Sequence, residues 1–127
     1  MIQRIRQRLD GNSQGGFTLI ELLVVIIIIG ILLAIAVPSY LGFKDRANES
    51  ASKANLRAAL PAVEAYYADE ATYDGLTLAE LKTYDQNVKL TTVKETDSAY
   101  CVDSTVGNKT FRIAGPGSTD PVSGACP

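Results

Sequence analysis

The chain has 127 residues, a formal net charge of −2 and no histidine. That length holds one small domain. The missing imidazole removes the commonest general base and metal ligand, and the acidic balance does not suggest a nucleic-acid-binding surface.

Residues 1–16 are polar, basic and glycine-ended, with Arg4, Arg6 and Arg8 set against Asp10. They read as a processed leader and not as part of the fold. An ordinary secretory signal is cut after its apolar stretch; here the plausible cut precedes it, so the apolar stretch is retained. That stretch, Phe17 to Val37, reads FTLIELLVVIIIIGILLAIAV and has only Thr18 and Glu21 as polar residues. As a helix rising about 1.5 Å per residue it is about 31 Å long, which matches a bilayer core of about 30 Å. The basic leader lies on its short side, so the positive-inside rule keeps the N-terminus cytoplasmic and sends everything after Val37 outward.

Glu21 is the anomaly of this segment. A carboxylate in hydrocarbon costs about 3 kcal/mol or more, and it needs a partner. Cleavage between Gly16 and Phe17 would create one, an α-amine one helical turn away. In low dielectric the two charges attract strongly, either within one subunit or between staggered subunits; the residues alone leave both open, together with a glutamate resting near the interface. Gly30 and Pro38 interrupt the apolar run. They read either as sites of close packing and kinking or as a tolerated glycine and a proline at a helix end.

The block Gly-Phe-Thr-Leu-Ile-Glu (residues 16–21) followed by a long apolar helix resembles the class III signal of type IV pilins and their relatives, the pseudopilins. The likeness is close over residues 15–38 and looser beyond. It implies that a prepilin peptidase cuts after Gly16, that Phe17 becomes the N-methylated terminus, and that Glu21, fifth in the mature chain, serves assembly. It favours the intermolecular pairing of Glu21, and it implies an assembly ATPase and a membrane platform protein as partners. It also implies that the helix can lose helicity between Gly30 and Pro38 once packed in a filament.

From Ser39 to about Glu70 the pattern stays helical. Alanines 47, 51, 54, 58, 62 and 65 advance in steps of three and four and share one face. Leu56, Leu60, Val63 and Tyr67 share roughly the opposite face, and Arg46, Lys53, Arg57 and Glu64 fall on a third flank. Two apolar faces imply two partners, the subunit's own sheet and helices of neighbouring copies; the alternative is a helix buried within one domain. Pro61 leaves the Arg57 carbonyl without its helical donor, which predicts a kink there. Tyr40 and Phe43 follow the span and suit the headgroup layer.

Beyond residue 70 the character changes. Asp74-Gly75 is a turn. Thr77-Leu78-Ala79-Glu80 fits a capping box, which predicts a short helix from Leu78 to Thr83. Strands are expected at Val88–Lys94, Ala99–Ser104 and Lys109–Ala114, the last two joined by a tight turn at Gly107-Asn108. Residues 115–127 read as an irregular loop pinned by Cys126. Tyr66, Tyr67, Tyr73 and Tyr84 are expected in the core or against the sheet. Cys101 and Cys126 lie in the exported part, where an even count favours a disulfide over two free thiols; the closed loop of about 25 residues would contribute about 3 kcal/mol. Asp74, Asp103 and Asp120 are scattered loop carboxylates with a weak claim to a cation, and no metal site is expected. Asn48-Glu49-Ser50 and Asn108-Lys109-Thr110 match the N-glycosylation pattern, a match short enough to arise by chance.

The expected architecture is α+β: a cleaved leader (1–16), a membrane-spanning assembly helix (17–38), its amphipathic continuation (39–70), and a small antiparallel sheet region with a disulfide loop (71–127). Its expected role is a non-enzymatic structural subunit without cofactors. The precursor waits in the cytoplasmic membrane and then polymerises with copies of itself into an extracellular pilus-like filament. A secretion-system pseudopilin and a monomeric signal-anchored binding module are the competing readings.

Overall fold

The computed structural model describes residues 16–127 and divides into two compact units, one ending at Leu41 and the other spanning Gly42–Pro127. The leader arginines and Gly15 lie outside the described residues. One helix, α1 (Leu19–Glu70), crosses the division. In the first unit none of its residues is buried, and it is long and apolar enough to cross a membrane. Gly30, Pro38 and Pro61 all keep helical backbone, so α1 runs unbroken through each.

In the second unit α1 packs against a four-stranded antiparallel sheet ordered β1 (Thr92–Glu95), β2 (Tyr100–Val106), β3 (Lys109–Gly115) and β4 (Val122–Ser123). The fold is therefore α+β, as expected. The helical stripe facing the sheet is Ser52, Leu56, Ala59, Val63 and Tyr66, spaced by threes and fours. It closes on Tyr100 and Val102 of β2, Ile113 of β3, and Tyr73, Leu76, Leu81, Val88 and Leu90 from the connection. Each fully buried aliphatic side chain contributes about 1.5–3 kcal/mol. Ser52 and Ala59 are small, which lets the backbones approach. Ser52 Oγ donates to the Ser104 carbonyl at 2.5 Å, and Asn55 Nδ2 donates to Ser104 Oγ at 3.2 Å.

This stripe lies between the two faces expected from the alanine and leucine spacing. Ala62 is buried with the core and leaves the alanine face. Tyr67 turns outward at 41% exposure, stacking on buried Tyr73 with ring centroids 4.6 Å apart. Tyr84 is also partly exposed, at 38%, so only Tyr66 and Tyr73 of the four expected tyrosines are core residues. Of the five remaining alanines of that face, Ala47, Ala54 and Ala58 are exposed, while Ala51 and Ala65 are half-buried.

Helix α1 ends at Ala71, whose φ of 56° is the left-handed conformation usually taken by glycine; its N–H donates to the Tyr67 carbonyl at 2.8 Å. Asp74-Gly75 forms the expected turn, and the Tyr66 hydroxyl donates to the Asp74 carbonyl at 2.7 Å. The short helix α2 (Leu78–Tyr84) starts where its capping signature predicts, with Thr77 Oγ1 accepting the Glu80 N–H at 3.2 Å.

The strand expected at Val88–Lys94 begins later, at Thr92. Val88 and Leu90 are buried in the core, but Val88 N–H donates back to Asp85 in a turn instead of joining a ladder. Two-residue alternation there reports burial and not pairing. The expected loop 115–127 contains β4, which pairs Val122 and Ser123 with Arg112 and Phe111. At the β2–β3 hairpin, Gly107 takes φ 59° and lies against the Asn48 side chain of α1. Asn48 is thus packed in a helix, while Asn108 is exposed at the turn.

Gly115 pairs with Tyr100, and a Cβ there would collide with the Tyr100 ring. Gly115→Ala should therefore cost about 1–3 kcal/mol, the usual penalty for overpacking. Urea unfolding of the detergent-solubilised chain measures it. An unchanged midpoint would mean that the ring can move aside freely.

Candidate functional site

The chemistry-bearing residues cluster at the start of α1. Gly16 and Phe17 precede the helix in exposed backbone. Thr18 then caps it: Thr18 Oγ1 accepts the Glu21 N–H at 3.3 Å, and Glu21 Oε2 accepts the Thr18 N–H at 2.8 Å. The first helical bond follows, Leu22 N–H to the Thr18 carbonyl at 3.2 Å. This reciprocal pair is a capping box, which satisfies two donors that a helix start otherwise leaves free. It also places the carboxylate at the positive end of the helix dipole. The signal was present in the sequence as Thr18-Leu19-Ile20-Glu21, the same Thr-x-x-Glu pattern that locates α2. It is masked by the apolar run around it.

The carboxylate thus has one oxygen engaged by its own backbone, and the other has no hydrogen-bond partner among the described residues. Around it Phe17, Ile20, Val24 and Val25 form an open apolar hollow. A positive group next to Thr18 N would sit beside this carboxylate. Phe17 N is the adjacent backbone nitrogen, and cleavage after Gly16 would turn it into an amine.

The rest of α1 up to Phe43 presents Leu, Ile, Val and Phe on every side. Ile26, Ile27, Ile28 and Ile29 are each about half exposed, and an added Cβ on Gly30 would meet nothing within 4 Å. An exposed apolar surface of this extent marks a site that lipid or other helices would cover. Farther along α1, Lys53 donates to Glu49 at 2.7 Å, which holds the Glu49 carboxyl below its ordinary range, and Lys53 also sits 4.8 Å over the Phe111 ring.

In the second unit, Cys101 and Cys126 are joined in a disulfide with Cα atoms 5.9 Å apart. Tyr84 donates to Asp69 Oδ2 at 2.8 Å, and this bond, with burial and nearby carboxylates, pushes its pKa up to about 12. Burial does the same to Tyr100, again to about 12. Among the described residues no three histidine, cysteine or acidic side chains come together, so Asp74, Asp103 and Asp120 do not form a cluster.

Residues 11–37 match the family model described as the prokaryotic N-terminal methylation motif. The type IV wide pilus major component PilA4 of Thermus thermophilus is 38% identical over 95 residues, covering 72% of each chain. The chain belongs to the type IV pilin superfamily. The type IV major pilin protein PilA of Myxococcus xanthus is 45% identical over 58 residues, 46% of this chain but 26% of that pilin. The type II secretion system core protein G of Pseudomonas aeruginosa is 40% identical over 62 residues, 49% of this chain and 44% of that protein. The chain therefore spans much less than two thirds of some of these relatives. No solved structure matches it. As in the superfamily's expected plan, this pilin-like chain joins a long N-terminal helix to a small antiparallel sheet, and its disulfide closes the C-terminal segment.

Proposed function

We propose that the chain is a structural subunit of a type IV pilus-like filament, cut between Gly16 and Phe17 by a prepilin peptidase, N-methylated at Phe17, and polymerised through α1. The observation that carries this reading is the capped start of α1: a carboxylate held one turn from the cut, at the head of a helix apolar on all sides. Before assembly the bilayer covers that helix. In the filament the same surface is covered by helices of other copies, and the exposed Ala47, Ala54 and Ala58 stripe gives the close approach that small residues allow. Glu21 keeps one oxygen on Thr18 and offers the other to an amine. Docking on the amine of a neighbouring copy sets the stagger.

On this reading the protein works by assembly and not by catalysis, without a cofactor. An assembly ATPase and a membrane platform protein supply the extrusion work. The precursor sits in the cytoplasmic membrane with its N-terminus inside, and the product lies outside the cell. Gly30 and Pro38 are where the helix would loosen on packing, since proline leaves the Ala34 carbonyl without a donor; Pro61 does the same for Arg57. A secretion-system pseudopilin is the second reading, favoured by the likeness to core protein G.

The Gly16→Val variant tests the processing step. A branched side chain at the cut should leave the precursor uncleaved, visible as a slower band on gels, and should remove surface fibres. Normal fibres built from uncleaved chains would contradict the proposal. Fibre length by electron microscopy separates a pilus from a short pseudopilus.

A further inference from the structure

The sheet unit buries one acidic side chain. Asp103, 2% exposed, lies in the middle of β2. Its neighbour Ser104 faces α1, so Asp103 faces the opposite side of the sheet. Oδ2 accepts the Cys126 backbone N–H at 2.9 Å, while Oδ1 has no protein partner among the described residues. A carboxylate buried with an idle oxygen is costly, and a neutral side chain in its place would be cheaper.

The surroundings hold the C-terminal segment beside it. Cys101 lies two residues earlier on the same face. Arg112, the cross-strand partner of Asp103, donates to the Ala125 carbonyl at 2.9 Å. Gly124 N–H donates to the Thr110 carbonyl at 2.9 Å. Lys94, the cross-strand partner of Cys101, bonds the Pro127 carbonyl. With the β4 pairing, residues 122–127 are held along their length by contacts that involve no sulfur. The Asp103 contact is the one that lands on the half-cystine itself.

We propose that Asp103 is a positioning residue for disulfide closure, whose carboxylate docks the Cys126 backbone beside Cys101 before the sulfur–sulfur bond exists. The step needs a disulfide oxidant, for which oxidised glutathione serves as the probe. One protein thiolate attacks it, forming a mixed disulfide and releasing one glutathione thiolate. The second protein thiolate then attacks the protein sulfur of that mixed disulfide and releases the other. Two cysteine thiols are oxidised, the oxidant is reduced by two electrons, and both thiol protons pass to solvent. Docking contributes by raising the local concentration of the second thiol. This inference is independent of the filament reading.

Amide exchange on the full chain in detergent tests it. In the Cys101→Ser, Cys126→Ser chain the amide of residue 126 should stay protected by about tenfold or more over an unfolded peptide. Adding Asp103→Ala should remove that protection, and Asp103→Asn, which keeps an acceptor oxygen, should retain part of it. With both cysteines present, Asp103→Ala should lower the effective concentration of the thiol pair against glutathione about tenfold to a hundredfold, as expected for a lost charge-assisted hydrogen bond. The Val102 and Ile113 amides should stay protected throughout. An unprotected residue 126 in the serine chain with Asp103 intact would overturn the proposal, as would an unchanged effective concentration in Asp103→Ala. The serine chain decides the matter even if Asp103→Ala fails to fold.

Discussion

Glu21→Ala should abolish fibres, or reduce them at least about tenfold, while the precursor still inserts and its sheet domain still folds. Opposite signs on two steps make this effect diagnostic. For membrane insertion the change is favourable, because it removes a carboxylate that costs about 3 kcal/mol or more in hydrocarbon and puts the best helix former in its place. On the proposed filament reading it is unfavourable for assembly, because it deletes the acceptor offered to the amine at Phe17. Loss of about 1.4 kcal/mol at each contact lowers the association constant about tenfold, and a filament repeats that contact at every subunit. The variant also leaves the Thr18 N–H without the partner it holds at 2.8 Å, so the first turn of α1 should fray. Glu21→Gln separates the two contributions. It keeps an acceptor oxygen for Thr18 but no charge for the amine, so it should preserve the capped turn and still assemble poorly. Electron microscopy of sheared cell-surface fractions, with membrane fractions as control, reads both steps. Wild-type fibre yield in Glu21→Ala would place the carboxylate outside assembly, as a monomeric anchor would.

Loss of the disulfide is the second large effect. The Cys101→Ser, Cys126→Ser chain should be less stable by about 3 kcal/mol, since cross-linking residues at a separation of 25 restricts the unfolded chain by that amount. For a folded unit this small, such a loss is a large share of the total. Urea unfolding in detergent should show an earlier midpoint for the serine chain, and the reduced wild-type chain should match it. A difference below about 1 kcal/mol would mean that the cross-link constrains the unfolded chain far less than the chain-entropy model requires. On the proposed filament reading the same comparison bears on fibre durability, which depends on each subunit remaining folded.

The parts of this molecule that follow local rules could be read from the residues. A long apolar run, a Thr-x-x-Glu start before α2 and a glycine hairpin turn each act over a few residues. Tertiary context decided the rest. Val88 and Leu90 alternate like a strand because both are buried, yet their backbone turns before β1 begins. Val122 and Ser123 carry no strand signal of their own; they pair because the chain reverses after β3 and lies along it. The buried stripe of α1 is rotated between the two expected faces, because small Ser52 and Ala59 allow the sheet closer than leucine spacing alone suggests. At the site, Glu21 stood out by its cost in hydrocarbon. Its bond to Thr18 is masked by the apolar run, which hides the Thr-x-x-Glu pattern. Asp103 carried only a weak claim to a cation; its place in the expected strand Ala99–Ser104 does not reveal that the C-terminal segment covers it.

The most direct test of the account is the N-terminal peptide of subunits from sheared fibres, identified by mass spectrometry. The account predicts a peptide beginning at N-methylated Phe17, with Thr18 and Glu21 intact. Fibres whose subunits still carry Met1 through Gly16 would contradict it.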